Sequence, residues 1–168
     1  YSTSKAVDEI LAFAYHRERG LPAVIARFFN TVGPRQSPAY GMVIPRLVRQ
    51  AIAGDPITVY GDGLQTRCFC HVHDTVSAIA KLIENEQAIG EAFNIGAGRE
   101  ISMLDLAATI ISRTNSTSEV RLVPYEEVYP QGGFEDMRRR VPDTRKLEDL
   151  TGWKVSKNLD DILDETIA

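Results

Sequence analysis

Between residues 2 and 19 the apolar side chains of Val7, Ile10, Leu11, Ala14 and Tyr15 recur at the spacing of one helix face. Gly20 follows as a stop. Pro22 then opens the run Pro-Ala-Val-Ile-Ala-Arg-Phe-Phe, almost continuously apolar. Its length fits a strand covered on both faces, as in a parallel sheet. A helix feeding such a strand predicts an α/β fold. Residues 30–41 hold two glycines and two prolines and read as a loop, after which Pro45 suits the first turn of a helix running to Gly54. A short strand over 57–60 meets the turn Gly61-Asp62-Gly63, and alternation returns over 65–72. Asp74 is placed to cap a helix reaching about residue 86.

Further along, residues 92–95 read as a strand, and Ser102 with Asp105 resembles a capping box opening a helix to about residue 114. Residues 119–123 form another strand. A loop containing Pro130 and Gly133 leads into Arg138-Arg139-Arg140, followed by a helix over 143–150 and a terminal one from about Leu159. No internal repeat or low-complexity segment interrupts the pattern.

Composition narrows the classes. With 168 residues, 43% of them hydrophobic, the chain can bury a core of one domain's size. No run of some 18 apolar residues occurs, and the first residues lack the basic-then-apolar order of a secretory leader, so neither membrane insertion nor secretion is expected. A formal charge of -4 gives no general attraction for nucleic acid. Cys68 and Cys70 lie too close along an extended strand to pair readily as a disulfide, which suits a reducing cytoplasm.

Two groupings carry candidate chemistry. Tyr1 and Lys5 are four residues apart, so on one helix they share a face. An ammonium beside a phenol favours phenolate, which makes a usable general base. Taken alone, the same pair fits an ordinary surface helix. Cys68, Cys70, His71, His73 and Asp74 are all zinc-ligand types, but strand alternation turns the thiols and the imidazoles to opposite sides, so no metal site is expected.

The wider pattern gives Tyr1 and Lys5 their meaning. Tyr1-Ser2-Thr3-Ser4-Lys5-Ala6, Arg27-Phe28-Phe29-Asn30-Thr31-Val32-Gly33-Pro34-Arg35, and Val59-Tyr60-Gly61-Asp62-Gly63-Leu64-Gln65-Thr66-Arg67 follow in order, with Arg139-Arg140-Val141-Pro142-Asp143 and Gly152-Trp153 near the end. This ordered set resembles the extended short-chain dehydrogenase/reductases that act on nucleotide sugars. The resemblance implies the C-terminal part of a Rossmann-type parallel sheet plus a smaller α/β substrate-binding domain. Residues 1–30 would end the dinucleotide-binding domain, and 31–168 would mainly form the sugar-nucleotide domain, with segments returning to the Rossmann sheet.

By the same resemblance, Tyr1 is the proton-transfer tyrosine, Lys5 lowers its pKa and holds the nicotinamide ribose of NAD, and Phe29 and Asn30 meet nicotinamide and substrate. Val43 and Tyr60 surround the nucleoside, while Arg67 and either Arg139 or Arg140 meet the diphosphate. A guanidinium fork matches phosphate oxygens. The implied activity is NAD-dependent 4-epimerisation of a UDP-sugar through a 4-keto intermediate, in a cytoplasmic homodimer. UDP-glucuronate decarboxylase and sugar-nucleotide dehydratase share the motifs, and a non-catalytic sugar-nucleotide-binding module is the alternative of another class. The family's glycine-rich turn for the dinucleotide pyrophosphate is not among these residues, so the chain by itself is expected to hold NAD poorly.

Overall fold

The computed structural model describes residues 2–37, 42–131 and 136–168. Helix α1 (Ser2–Arg19) leads into β1 (Ile25–Phe28) and β2 (Thr31–Val32), and α2 (Val43–Ala53) into β3 (Ile57–Tyr60). Strands β4 (Thr66–Cys68) and β5 (Cys70–His71) precede α3 (Val72–Ile83), a 3-10 turn at Glu86–Ala88 and β6 (Ala92–Ile95). Then come β7 (Glu100–Ser102), α4 (Met103–Thr114), β8 (Val120–Val123) and α5 (Tyr125–Val128). Strand β9 (Arg139–Arg140) and helices α6 (Arg145–Thr151) and α7 (Leu159–Ile167) complete the order.

Three two-stranded sheets are parallel, β1 with β6, β2 with β5, and β3 with β8. Strand β4 lies between β7, to which it is antiparallel, and β9, to which it is parallel. Helices linking parallel strands give the expected α/β class.

Two apolar clusters hold these layers. The first joins Ile44, Leu47 and Val48 of α2 to Ile57 and Val59 of β3, Leu106 and Ile110 of α4, and Ile162 and Leu163 of α7. Each such side chain contributes roughly 1.5–3 kcal/mol on burial, which fixes α2 against β3. The second joins Ala78 and Leu82 of α3 to Phe93 and Ile95 of β6, Leu147 of α6 and Trp153. Gly63, at φ 73, closes the β3–β4 turn where a Cβ would stand 2.6 Å from Leu104 Cγ.

Several expectations need correction. The strand after Pro22 is shorter than its apolar run, and Phe28 is half exposed rather than covered on both faces. Its physical reason is a single neighbour, β6, among the described residues. The loop over 30–41 contains β2, paired to β5, and its residues 38–41 lie outside the described residues. Alternation over 65–72 breaks at Phe69, separating β4 from β5.

Helix α3 starts at Val72, and its cap is His71 rather than Asp74. His71 Nδ1 accepts from the His73 amide at 3.1 Å, which leaves the ring proton on Nε2 to donate to Glu165 at 3.1 Å. Asp74 lies two residues into the helix, where its buried carboxylate accepts from Ser156 N and Oγ and from Lys157 N, the last at 3.0 Å. Trp153 Nε1 donates to the Asp74 carbonyl at 3.0 Å. One acid thereby anchors the segment that leads into α7.

Candidate functional site

A cavity of about 260 Å³ opens between α2, β3, β4 and the α5 segment, and Asn30, Val43, Tyr60 and Arg67 all line it. Four positions selected from the sequence thus converge although up to 37 residues separate them, counted from Asn30 to Arg67. Lys5, Phe29, Arg139 and Arg140 are not in its wall. Tyr1 lies outside the described residues.

Lys5 stands on α1, a helix with no buried residue, and its Nζ is 2.8 Å from Asp8 Oδ2. Phe29 and Asn30 follow the carboxyl end of β1, where Phe29 N donates to Ile95 O at 2.9 Å and continues the ladder to β6. Asn30 takes the left-handed backbone, φ 42, a conformation its short amide tolerates. Its Nδ2 donates to Cys68 O at 2.8 Å, and its carbonyl accepts from Cys70 N at 3.1 Å. Asn30 therefore locks the turn at the cavity edge as well as facing the cavity.

Arg67 is nearly buried, its side chain 12% exposed. It donates to Thr66 O at 2.7 Å and Met137 O at 2.8 Å and forms an ion pair with Asp136. Asp136 also accepts from Tyr125 Oη at 2.6 Å. Gln65 Nε2 donates to Tyr125 Oη at 3.0 Å and to Tyr60 O at 2.9 Å, which ties the floor of the cavity to β3. Burial foremost, then the hydrogen bond and charge of Asp136, push the Tyr125 phenol well above the usual tyrosine range, so it stays neutral and donates.

Strand register separates the two neighbouring arginines. Arg140 pairs with Arg67, and Arg139 with Thr66. Arg139 forks onto Glu100 at 2.6 and 3.0 Å, away from the cavity, whereas the Arg140 guanidinium lies 5.2 Å over the Phe29 ring. Arg46, Tyr125, Tyr129 and Asp136 line the cavity without having been selected from the sequence. Their signal was absent because each enters through packing between segments distant along the chain, and Asp136 follows residues 132–135, which lie outside the described residues.

The Cys68 to Asp74 residues are committed elsewhere. Cys68 and Cys70 are free and buried, and burial raises both thiol pKa values. His71 and Asp74 hold the protein contacts given above, and among the described residues no three His, Cys, Asp or Glu side chains gather to hold a metal ion. Among the same residues no helix is long and apolar enough to cross a membrane.

The family described as GDP-mannose 4,6 dehydratase matches residues 1–166. A UDP-N-acetyl-alpha-D-glucosaminuronate decarboxylase of Bacillus cytotoxicus is 41% identical over 168 residues, covering 99% of this chain and 51% of that protein. The fold superposes on an epimerase from Methanothermobacter thermautotrophicus with a TM-score of 0.91 at 28% identity, covering 99% of this chain and 48% of the other. It superposes on a UDP-glucuronic acid 4-epimerase from Bacillus cereus, solved with UDP-glucuronic acid and NAD, with a TM-score of 0.89 at 27% identity, covering 99% and 51%. The chain spans about half the length of these relatives. With its motifs in order, its parallel strands and a match over residues 1–166, the chain belongs to the GDP-mannose 4,6-dehydratase family, within the epimerase/dehydratase branch of the extended short-chain dehydrogenase/reductases.

Proposed function

We propose that this chain supplies the sugar-nucleotide half of an NAD-dependent enzyme that oxidises a UDP-sugar at C4. The observation that carries this reading is the make-up of the cavity wall. Val43, Leu47 and Tyr60 offer apolar and aromatic surface suited to a nucleoside, and Arg67, held by Asp136, offers a guanidinium suited to a diphosphate. Arg140, in register with Arg67, is the second diphosphate arginine in this reading, and Arg139 is spent on Glu100. Residues 1–30 belong to the dinucleotide-binding domain and 31–168 mainly to the sugar-nucleotide domain. The cluster formed by α3, β6 and α6 is the part that returns to the sheet of β1.

The residues present fit the nicotinamide end of NAD. Phe29 lies beyond the carboxyl end of a parallel strand, where ligands of open α/β sheets bind, and Lys5 presents an exposed ammonium to donate to ribose hydroxyls. Bound there, NAD would supply the acceptor for a hydride from C4. Tyr1 takes the C4 hydroxyl proton, and Lys5 favours the phenolate that does so. Arg67, Arg140 and Asn30 hold the substrate in place.

The fate of the oxidised sugar has two readings. The 41% identity to a decarboxylase favours an acidic UDP-sugar that loses its carboxylate as carbon dioxide. The likeness to a UDP-glucuronic acid 4-epimerase favours 4-epimerisation, the outcome expected from the motifs. A homodimer is supported by the apolar stripe Val7, Ile10, Leu11 and Tyr15 of α1, each about half exposed. The formal charge of -4 argues against a nucleic-acid partner, and buried free thiols suit the cytoplasm.

Calorimetric titration of the chain with UDP-glucuronate and UDP tests the site. Binding weakened at least about tenfold in Arg67→Ala is expected, since a charge-assisted phosphate contact is lost. No binding to the wild-type chain sinks the reading. In the parent enzyme, Tyr1→Phe abolishes turnover with little change in sugar-nucleotide affinity, and product NMR separates a pentose from a C4 epimer.

A further inference from the structure

Helix α1 carries Lys5, yet none of its residues is buried among the described residues, so packing fixes its direction only weakly. Polar contacts pin it at two places. Near its carboxyl end His16 Nδ1 meets Leu21 O at 2.8 Å. Seven residues earlier, Glu9 takes both arms of the Arg27 guanidinium of β1, accepting from Nε at 2.9 Å and from Nη2 at 2.5 Å. These hydrogen bonds hold the Glu9 carboxyl below its usual range and the Arg27 guanidinium above its own, so both stay charged. With side chains 26% and 49% exposed, the pair adds little to stability. Its two-armed geometry, joining a helix to a strand, makes it an alignment device instead.

The two pins set α1 antiparallel to β1, because stepping back from His16 to Glu9 on the helix matches stepping forward from Leu21 to Arg27 on the strand. One turn before Glu9, about 6 Å nearer the amino end, Lys5 stands on the same face. Two residues after Arg27, about 7 Å along β1 in that same direction, Phe29 lies on the same side of the strand. The opposite side is taken by Ala26 and Phe93, which pack with α3 and Trp153. The Glu9–Arg27 pin therefore brings Lys5 level with Phe29, where the nicotinamide end of NAD fits. The 2.8 Å contact of Lys5 with Asp8 lies within α1 and moves with it, so it cannot aim the helix.

We infer that Glu9 and Arg27 are a positioning pair that aims Lys5 at the nicotinamide ribose. The inference rests on the NAD-dependent reading and adds the two residues that hold its lysine in place. Neither side chain touches cofactor or substrate in this arrangement, and both act through Lys5. The sequence carries the same order, since Tyr1, Lys5 and Glu9 follow at a constant spacing of four residues. Without the pin, the amino end of α1 is free to swing about its contact at His16, and Lys5 lies beyond the point released. A misplacement of about 1 Å in a reacting group can cost on the order of a hundredfold in rate, so even a small swing is readable.

The test is a double-mutant cycle in the parent enzyme, read by calorimetry with NAD and with UDP and by steady-state turnover. Glu9→Gln keeps the shape but removes the carboxylate that takes both guanidinium arms. It lowers kcat at least about tenfold while KM for the sugar nucleotide stays within about twofold. NAD binding weakens about threefold or more, and UDP binding, which reports an intact fold, stays within about twofold. In the Lys5→Met background, adding Glu9→Gln changes NAD affinity by less than about twofold, because the group that it positions is gone. If Glu9→Gln loses UDP binding too, Arg27→Lys, which keeps the charge but not the fork, takes its place in the cycle. Unchanged NAD affinity and kcat in the folded variant overturn the inference. So does an NAD loss that is equally large without Lys5, which marks a merely structural role. A wild-type parent that binds no NAD overturns the NAD-dependent reading with it, whereas the first two results leave that reading standing.

Discussion

Replacing Asp136 by Asn isolates the charge that now holds Arg67. The carboxylate takes an ion pair from Arg67 and a 2.6 Å hydrogen bond from Tyr125 Oη, with side chains only 12% and 22% exposed for Arg67 and Asp136. An amide keeps the shape but cannot accept on both arms. With its oxygen toward Arg67, its NH2 meets a Tyr125 oxygen that already accepts from Gln65, and the phenol proton loses its acceptor. Bonds to charged groups contribute about 1.5–3 kcal/mol and neutral ones about 0.5–1.5, so the exchange costs about 1–2 kcal/mol after allowing for partial exposure. For a chain of this size that lowers the melting temperature by about 3–6 °C. Arg67 is released at the same time, so UDP binding tightens about two- to fivefold in low salt, and more weakly at high salt. Differential scanning fluorimetry with calorimetry reads both effects. An unchanged melting temperature, or UDP binding that weakens, refutes the reasoning, the second because Asp136 would then itself hold the ligand.

Tyr125→Phe tests the raised phenol pKa through linkage. The folded value lies above the unfolded one near 10, so the neutral phenol stabilises the fold below about pH 10 and that contribution is lost as pH rises further. The melting-temperature gap between wild type and Tyr125→Phe is therefore constant from pH 7 to 9 and narrows above about pH 10; a gap that widens there contradicts the assignment. Gly96→Ala tests the packing behind Phe29. A Cβ at Gly96 meets Phe29 Cβ and Pro142 Cγ, both at 2.8 Å, so overpacking costs about 1–3 kcal/mol and shifts Phe29, readable by thermal melts and by the aromatic NMR resonances of that ring. Unmoved resonances count against this close approach.

Most of the fold was legible because it is set locally. The helical spacing of Val7, Ile10 and Leu11, the Ser102 cap whose Oγ accepts from Asp105 N at 3.0 Å, and the Gly61-Asp62-Gly63 turn are each written within a few residues. What local pattern cannot give is a neighbour. β1 was read as doubly covered because apolarity records what a strand is suited to touch, and among the described residues β6 is the one strand that pairs with it. Asp74 was read as a cap because Asp suits that role, yet its carboxylate is satisfied by Ser156 and Lys157, more than 80 positions onward. A preference for buried hydrogen-bond partners does not say where they lie.

The same distinction governs the candidate site. Asn30, Val43, Tyr60 and Arg67 could be selected because a family pattern fixes their order, and their convergence on one cavity is independent of that pattern. The proposal of Arg140 over Arg139 rests on the register of β9 on β4, because adjacent strand residues face opposite ways and a slip of one position exchanges them. Once Thr66 faces Arg139, Glu100 captures that arginine and Arg140 is left to Phe29 and the face of Arg67. The chemistry of the arginine run is therefore a consequence of strand pairing. A shift of β9 by one residue would place a different guanidinium toward the site without changing a single amino acid.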